Sequence, residues 1–74
     1  MGNILGRVGF KIRIIREDRG LSQEGLGTLA GLHRAYVGQL ERGEKNVGLK
    51  KLEKIAEALN VSVCVLVDTS SVDE

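Results

Sequence analysis

Between Gln23 and Arg42 the chain carries two apolar stripes separated by a single glycine, and few packings accommodate that arrangement in so short a stretch. Leu26, Leu29 and Ala30 recur at i, i+3 and i+4, and Tyr36, Val37 and Leu40 form the second stripe. Gly31 breaks the two apart. A chain that reverses after Ala30 needs a residue tolerant of positive φ, which glycine supplies without a Cβ clash, and Leu32 can then plug the corner. Gly27 falls where the first helix faces the backbone of the second, so its missing side chain permits a close crossing. Together these residues spell a helix-turn-helix pattern. A purely structural αα-hairpin is the alternative, because an apolar stripe and a terminal glycine are ordinary in any packed helix. The simultaneous fit of Leu26, Gly27, Ala30, Gly31, Leu32, Val37 and Leu40 to one spacing favours DNA binding.

With 74 residues the chain makes one small domain, and at that size only about 60% of the unfolded surface can be buried. Cys64 is the only cysteine, so disulfides add nothing, and no Cys/His cluster has metal-site spacing. Self-association is the remaining source of stability. No targeting segment opens the chain and no apolar run approaches the ~20 residues of a membrane span, so a soluble cytoplasmic protein without membrane contact is expected. The net charge of +1 conceals an asymmetry: residues 1–54 hold 11 Lys/Arg against 6 Asp/Glu, net +5, whereas residues 55–74 hold no Lys/Arg and 4 acids. A basic front and an acidic back would orient the molecule on a polyanion.

The periodicity predicts an all-α fold of five helices over residues 8–19, 23–30, 34–42, 49–59 and 63–68. Met1–Arg7, with Gly2 and Gly6, reads as a frayed arm or a weak first turn. Val8, Ile12 and Ile15 form the inner face of the first helix, Phe10 and Ile14 are partly buried or exposed, and Gly20 lies past its end. Leu21 turns into the core and Ser22 caps the second helix, where Glu24 suits the helix dipole. Gly25 and Gly27 each weaken that helix by roughly 0.5–1 kcal/mol. His33 takes the N-cap of the third helix and Gly43 ends it. Arg34, Ala35, Gly38, Gln39 and Arg42 spread over its outward face, with Glu41 the one acid at the edge. Leu49, Leu52, Ile55, Ala56 and Leu59 stripe the fourth helix, and Asn60 closes it. Ser62 caps a last helix, Val63 to Asp68, that is apolar nearly all round. A strand competes for these residues, but no partner strand exists. So apolar a helix suggests a second surface to cover. Thr69–Glu74 reads as a disordered acidic tail.

Ile-Arg-Ile-Ile-Arg-Glu-Asp-Arg-Gly at the end of the first helix, then Leu-Ser-Gln-Glu, Ala-Gly-Leu, Glu-Arg-Gly and Lys-Ile-Ala-Glu-Ala-Leu-Asn-Val-Ser, resemble the phage-repressor-like (Xre/Cro type) helix-turn-helix family over nearly the whole chain. His-Arg-Ala-Tyr-Val and Glu-Arg-Gly-Glu-Lys-Asn are most similar to the controller proteins of restriction–modification systems. The resemblance implies a compact five-helix, lambda-repressor-like DNA-binding domain. It further implies a homodimer joined through the fifth helix (Val63, Val65, Leu66, Val67) and the end of the fourth, bound to a palindromic operator in double-stranded DNA. Controllers of this kind regulate their own gene and the endonuclease gene, activating at low occupancy and repressing when a second dimer fills the adjacent site. Gly25, Gly27 and Gly38 depart from the family's commoner residues. Val47-Gly48 replaces the usual Pro-Ser, which removes a Ser N-cap and loosens the loop.

The candidate DNA-binding set is Ser22, Gln23, His33, Arg34, Ala35, Tyr36, Gln39, Arg42, Lys45 and Asn46. The guanidinium fork of Arg34 matches guanine O6 and N7, with a phosphate contact as the alternative. Ala35 could pack on a thymine methyl and Gln39 read adenine, or both could face water. Gln23 resembles the family's phosphate clamp, helped by the helix N-terminus. Tyr36 reads as core, while Arg42, Lys45 and Asn46 position the duplex. Arg16 and Glu41 match a buried or semi-buried ion pair of the family that ties the first helix to the third and fixes the angle of the recognition helix. Cys64 reads as a packed apolar residue rather than a nucleophile. No catalytic constellation, metal site or cofactor is expected, and no small-molecule effector. A phage-type repressor, or an antitoxin-like helix-turn-helix protein whose main partner is a protein, remains the competing function.

Overall fold

The apolar periods fold into five helices: α1 (Ile4–Asp18), α2 (Gln23–Ala30), α3 (Arg34–Glu41), α4 (Leu49–Leu59) and α5 (Val63–Val67). They come from a computed structural model that describes residues 3–68, among which there is no strand. The acidic tail expected over Thr69–Glu74 lies outside the described residues. Three helix ends differ from expectation by one residue, but the start of α1 differs by four. Asn3 is the reason: its side-chain oxygen accepts the Gly6 N–H at 2.8 Å, which satisfies an otherwise orphaned donor and holds a turn that Gly6 alone would weaken.

One core draws on every helix. Val8 and Ile12 of α1, Leu26 and Ala30 of α2, Val37 and Leu40 of α3, Leu52, Ile55, Ala56 and Leu59 of α4 and Leu66 of α5 are all buried. Leu21, Leu32, Ile15 and Val47 pack against them as plugs at the helix ends. Two leucines of the expected stripes stay outside. Leu29 is 60% exposed because α2 presses inward through Leu26, Gly27 and Ala30, and Leu49 is 79% exposed because, as the first residue of α4, it has no preceding turn to carry it over the core. Ile14 is exposed and Phe10 half-buried.

The last helix needs a larger correction. Leu66, expected on a surface between copies, is fully buried and belongs to the subunit's own core, whereas Val65 and Val67 remain partly exposed. Five residues make less than two turns, so one side chain suffices to anchor α5. Cys64 is exposed instead of packed. Ser62 holds the N-cap position of α5 and Gly48 that of α4, and neither makes a side-chain capping bond.

The turn between α2 and α3 follows the local chemistry. Gly31 adopts φ 72°, and the Leu32 N–H reaches the Gly27 carbonyl at 2.8 Å. A Cβ on Gly27 would collide with the Leu32 carbonyl oxygen, so that glycine makes room for the turn more than for α3 itself. Gly9 does the corresponding work for α1, whose backbone lies on the end of α3 where a Cβ would strike the carbonyls of Leu40 and Glu41.

Candidate nucleic-acid interface

Recognition by a helix depends on its tilt, and α3 is tied to α1 and α2 by a buried ionic junction. Arg16 Nε donates to Glu41 Oε2 at 2.6 Å and Nη2 donates to Oε1 at 3.1 Å, while Nη1 donates to the Leu21 carbonyl at 2.7 Å. Gln23 Nε2 adds a donor to Glu41 Oε1 at 3.1 Å. Residues from α1, α2 and α3 therefore meet on one carboxylate, and Arg16 and Glu41 are only 8% and 6% exposed. The hydrogen bond to Glu41 raises the Arg16 guanidinium above its ordinary range, against the desolvation that burial imposes. An ion pair this dry adds little net stability but fixes geometry. Two expectations change here. Glu41 does not edge the outward face but turns into the protein, leaving that face free of α3 acid, and the amide of Gln23 is turned back onto Glu41.

Outward from this junction stand Arg34 and Ala35, both exposed in the first turn of α3, and Gln39, half-buried one turn on. His33 caps the helix through Nδ1, which accepts the Ala35 N–H at 3.1 Å, and Ser22 Oγ accepts the Gly25 N–H at 2.8 Å at the start of α2. Their polar atoms thus hold two helix N-termini in place. Tyr36 is half-buried toward α4, where Lys51 Nζ sits 4.6 Å from its ring centroid. That contact, and the role of Lys51 in it, has no sequence signal because the two residues lie 15 positions apart on different helices.

The far end of α3 is more polar than expected. Arg42 is paired with Glu44 through Nε to Oε2 at 2.8 Å and Nη2 to Oε1 at 3.2 Å. Lys45 and Asn46 follow in an exposed loop. A polar cleft of about 280 Å³ runs between α1 and α3, lined by Arg13, Arg16, Glu17, Gln23, Glu41 and Arg42. Buried Gly38 lies behind two of these side chains: a Cβ there would lie 3.3 Å from Arg42 Nη1 and 3.4 Å from Gln23 Oε1. Arg13 joins this cleft without having been singled out, although its place three residues before Arg16 puts the two on one face of α1. Among the described residues no group of three His, Cys, Asp or Glu could hold a metal ion, and no helix is long and apolar enough to cross a membrane.

Comparison with known proteins agrees with this layout. A family model described as helix-turn-helix matches residues 12–66, the span from the middle of α1 to α5. The control protein C.BamHI of Bacillus amyloliquefaciens is 41% identical over 71 residues, covering 95% of this chain and 88% of that protein. The control protein C.SmaI of Serratia marcescens is 50% identical over 52 residues, covering 70% of this chain but 62% of that protein. Among solved structures, the restriction-modification controller protein C.AhdI from Aeromonas hydrophila superposes with a TM-score of 0.83 at 45% identity, over 84% of this chain and 94% of that one. With α2 and α3 forming the motif itself and the match running from the middle of α1 into α5, the chain belongs to the Xre-type helix-turn-helix family.

Proposed function

We propose that this protein is a sequence-specific transcription regulator of a restriction–modification operon, acting in the cytoplasm as a homodimer on a palindromic operator at its own promoter and that of the endonuclease. The observation that carries the reading is the outward set of exposed Arg34 and Ala35 and half-buried Gln39, on a helix tied to α1 by the buried Arg16–Glu41 pair. Similarity to C.BamHI and C.AhdI supports the operon assignment. One domain, with extents of 29 × 22 × 22 Å, fits a single half-site, and two copies are needed to engage half-sites about 34 Å apart on one face of the duplex. The exposed valines Val65 and Val67 of α5 are the surface through which the copies would meet. In this reading Arg34 makes the bidentate contact to guanine, Gln39 and Ala35 read neighbouring bases, and Arg42, Lys45 and Asn46 hold the backbone.

Arg34→Lys tests the assignment, because it keeps the charge and loses the planar fork. Selection from randomised duplexes should return a palindrome for the native protein. The variant should lose roughly 1–3 kcal/mol of discrimination at one guanine in each half-site while keeping its general affinity. Identical base preferences for the two proteins would return Arg34 to the phosphate backbone, and failure to enrich any sequence would remove the regulator reading itself.

A further inference from the structure

The turn that ends α3 presents a carboxylate to the arginine that the DNA backbone would need. Gly43 adopts φ 75°, and its N–H bonds the Leu40 carbonyl at 3.0 Å while the Glu44 N–H bonds the Gln39 carbonyl at 2.9 Å. The opposite side is equally confined, since a Cβ on Gly43 would lie 2.9 Å from Gly6 Cα in the first turn of α1. Glu44 therefore leaves the backbone from a fixed point, and both its oxygens reach Arg42 at 2.8 and 3.2 Å. Its carboxyl is held below the usual range by that hydrogen bond, and the Arg42 guanidinium is raised by it.

Two parallel N–H to O bonds are also how a guanidinium grips a phosphate. The acids that line the cleft are committed differently: Glu41 is buried on Arg16, and Glu17 reaches Arg13 at 3.3 Å and Arg16 at 3.8 Å. Among the pairs around this cleft the Arg42 pair alone is both bidentate and more than half exposed, so a polyanion can reach it and replace both of its bonds in kind. We propose that Glu44 occupies the position of a DNA phosphate on Arg42, so that the duplex must exchange the carboxylate for its own backbone oxygens. Glu44 thereby lowers affinity for DNA of any sequence and leaves base preference untouched. The inference rests on the DNA-binding reading, with Glu44 acting through Arg42 as a positioning residue.

The test is a double-mutant cycle on the full chain, followed by fluorescence anisotropy with two labelled duplexes, one selected from a randomised pool and one of scrambled sequence. Glu44→Gln should tighten binding to both by the same factor, about 1.5- to 5-fold, the range expected for an exposed ion pair. It should also steepen the dependence on salt, because the native protein frees a carboxylate that recaptures cations when it binds. In the Arg42→Ala background the same substitution should change neither quantity. A gain that persists without Arg42 would reduce Glu44 to a general negative charge, and a gain on one duplex alone would make it a base reader. No gain in the native background overturns the exchange as well. If the native protein binds neither duplex, the DNA-binding reading falls and this inference falls with it.

Discussion

A methyl group at position 9 has no space to occupy, because α1 rests its backbone on the last carbonyls of α3 at that point. Gly9→Ala should lower the free energy of unfolding by about 1–3 kcal/mol, the usual cost of overfilling a packed contact, despite the improved helix propensity of alanine. Urea denaturation followed by circular dichroism measures it, and an unchanged midpoint would show that the two helices separate easily. Gly9 marks the limit of reading residues in isolation. The caps Ser22 and His33 and the left-handed Gly31 are legible because each serves atoms within a few positions of itself. Gly9, the Lys51 contact to Tyr36 and the exposure of Cys64 depend on what lies across the fold, which no local pattern encodes.

At the scale of helices, a stripe gives the direction of the buried face but not the extent of the neighbour that covers it. Leu29 and Leu49 fall on the right side of α2 and α4 yet beyond the reach of the core. The misreading of α5 has the same origin: five apolar residues in a row have no period from which the buried one can be chosen, and the core selects Leu66. Substitutions there should now separate two effects. Leu66→Asp places a charge at a fully buried site and should unfold the domain, at a cost above the ~2–5 kcal/mol of truncating a core leucine. Val65→Asp, at a site 38% exposed, should leave the fold intact by circular dichroism and shift sedimentation from dimer to monomer. A Val65→Asp dimer as tight as the native one would place the contact between copies on another face.

Along the chain the sequence separates a basic stretch, residues 1–54, from an acidic one, residues 55–74, and the structure adds which cations of the basic stretch remain available. Arg16 is spent on Glu41, Arg19 donates to the Leu59 carbonyl at 3.0 Å, and Arg42 is shared with Glu44, whereas Lys45 stands exposed in the loop beyond α3. Lys45→Ala should therefore reduce the slope of log affinity against log salt by about 0.9, the contribution of one phosphate contact, with base preference unchanged. Titration at several salt concentrations measures the slope, and an altered preference at constant slope would make Lys45 a reader of bases. The meeting of α1, α2 and α3 on the Glu41 carboxylate has a further consequence for how such a domain can diverge. Because α3 is held to the rest of the domain from its inner side, the exposed Arg34 and Ala35 make no contribution to the core. On the function proposed above, a new operator is acquired by rewriting Arg34, Ala35 and Gln39 alone, as type is changed in a fixed printing frame.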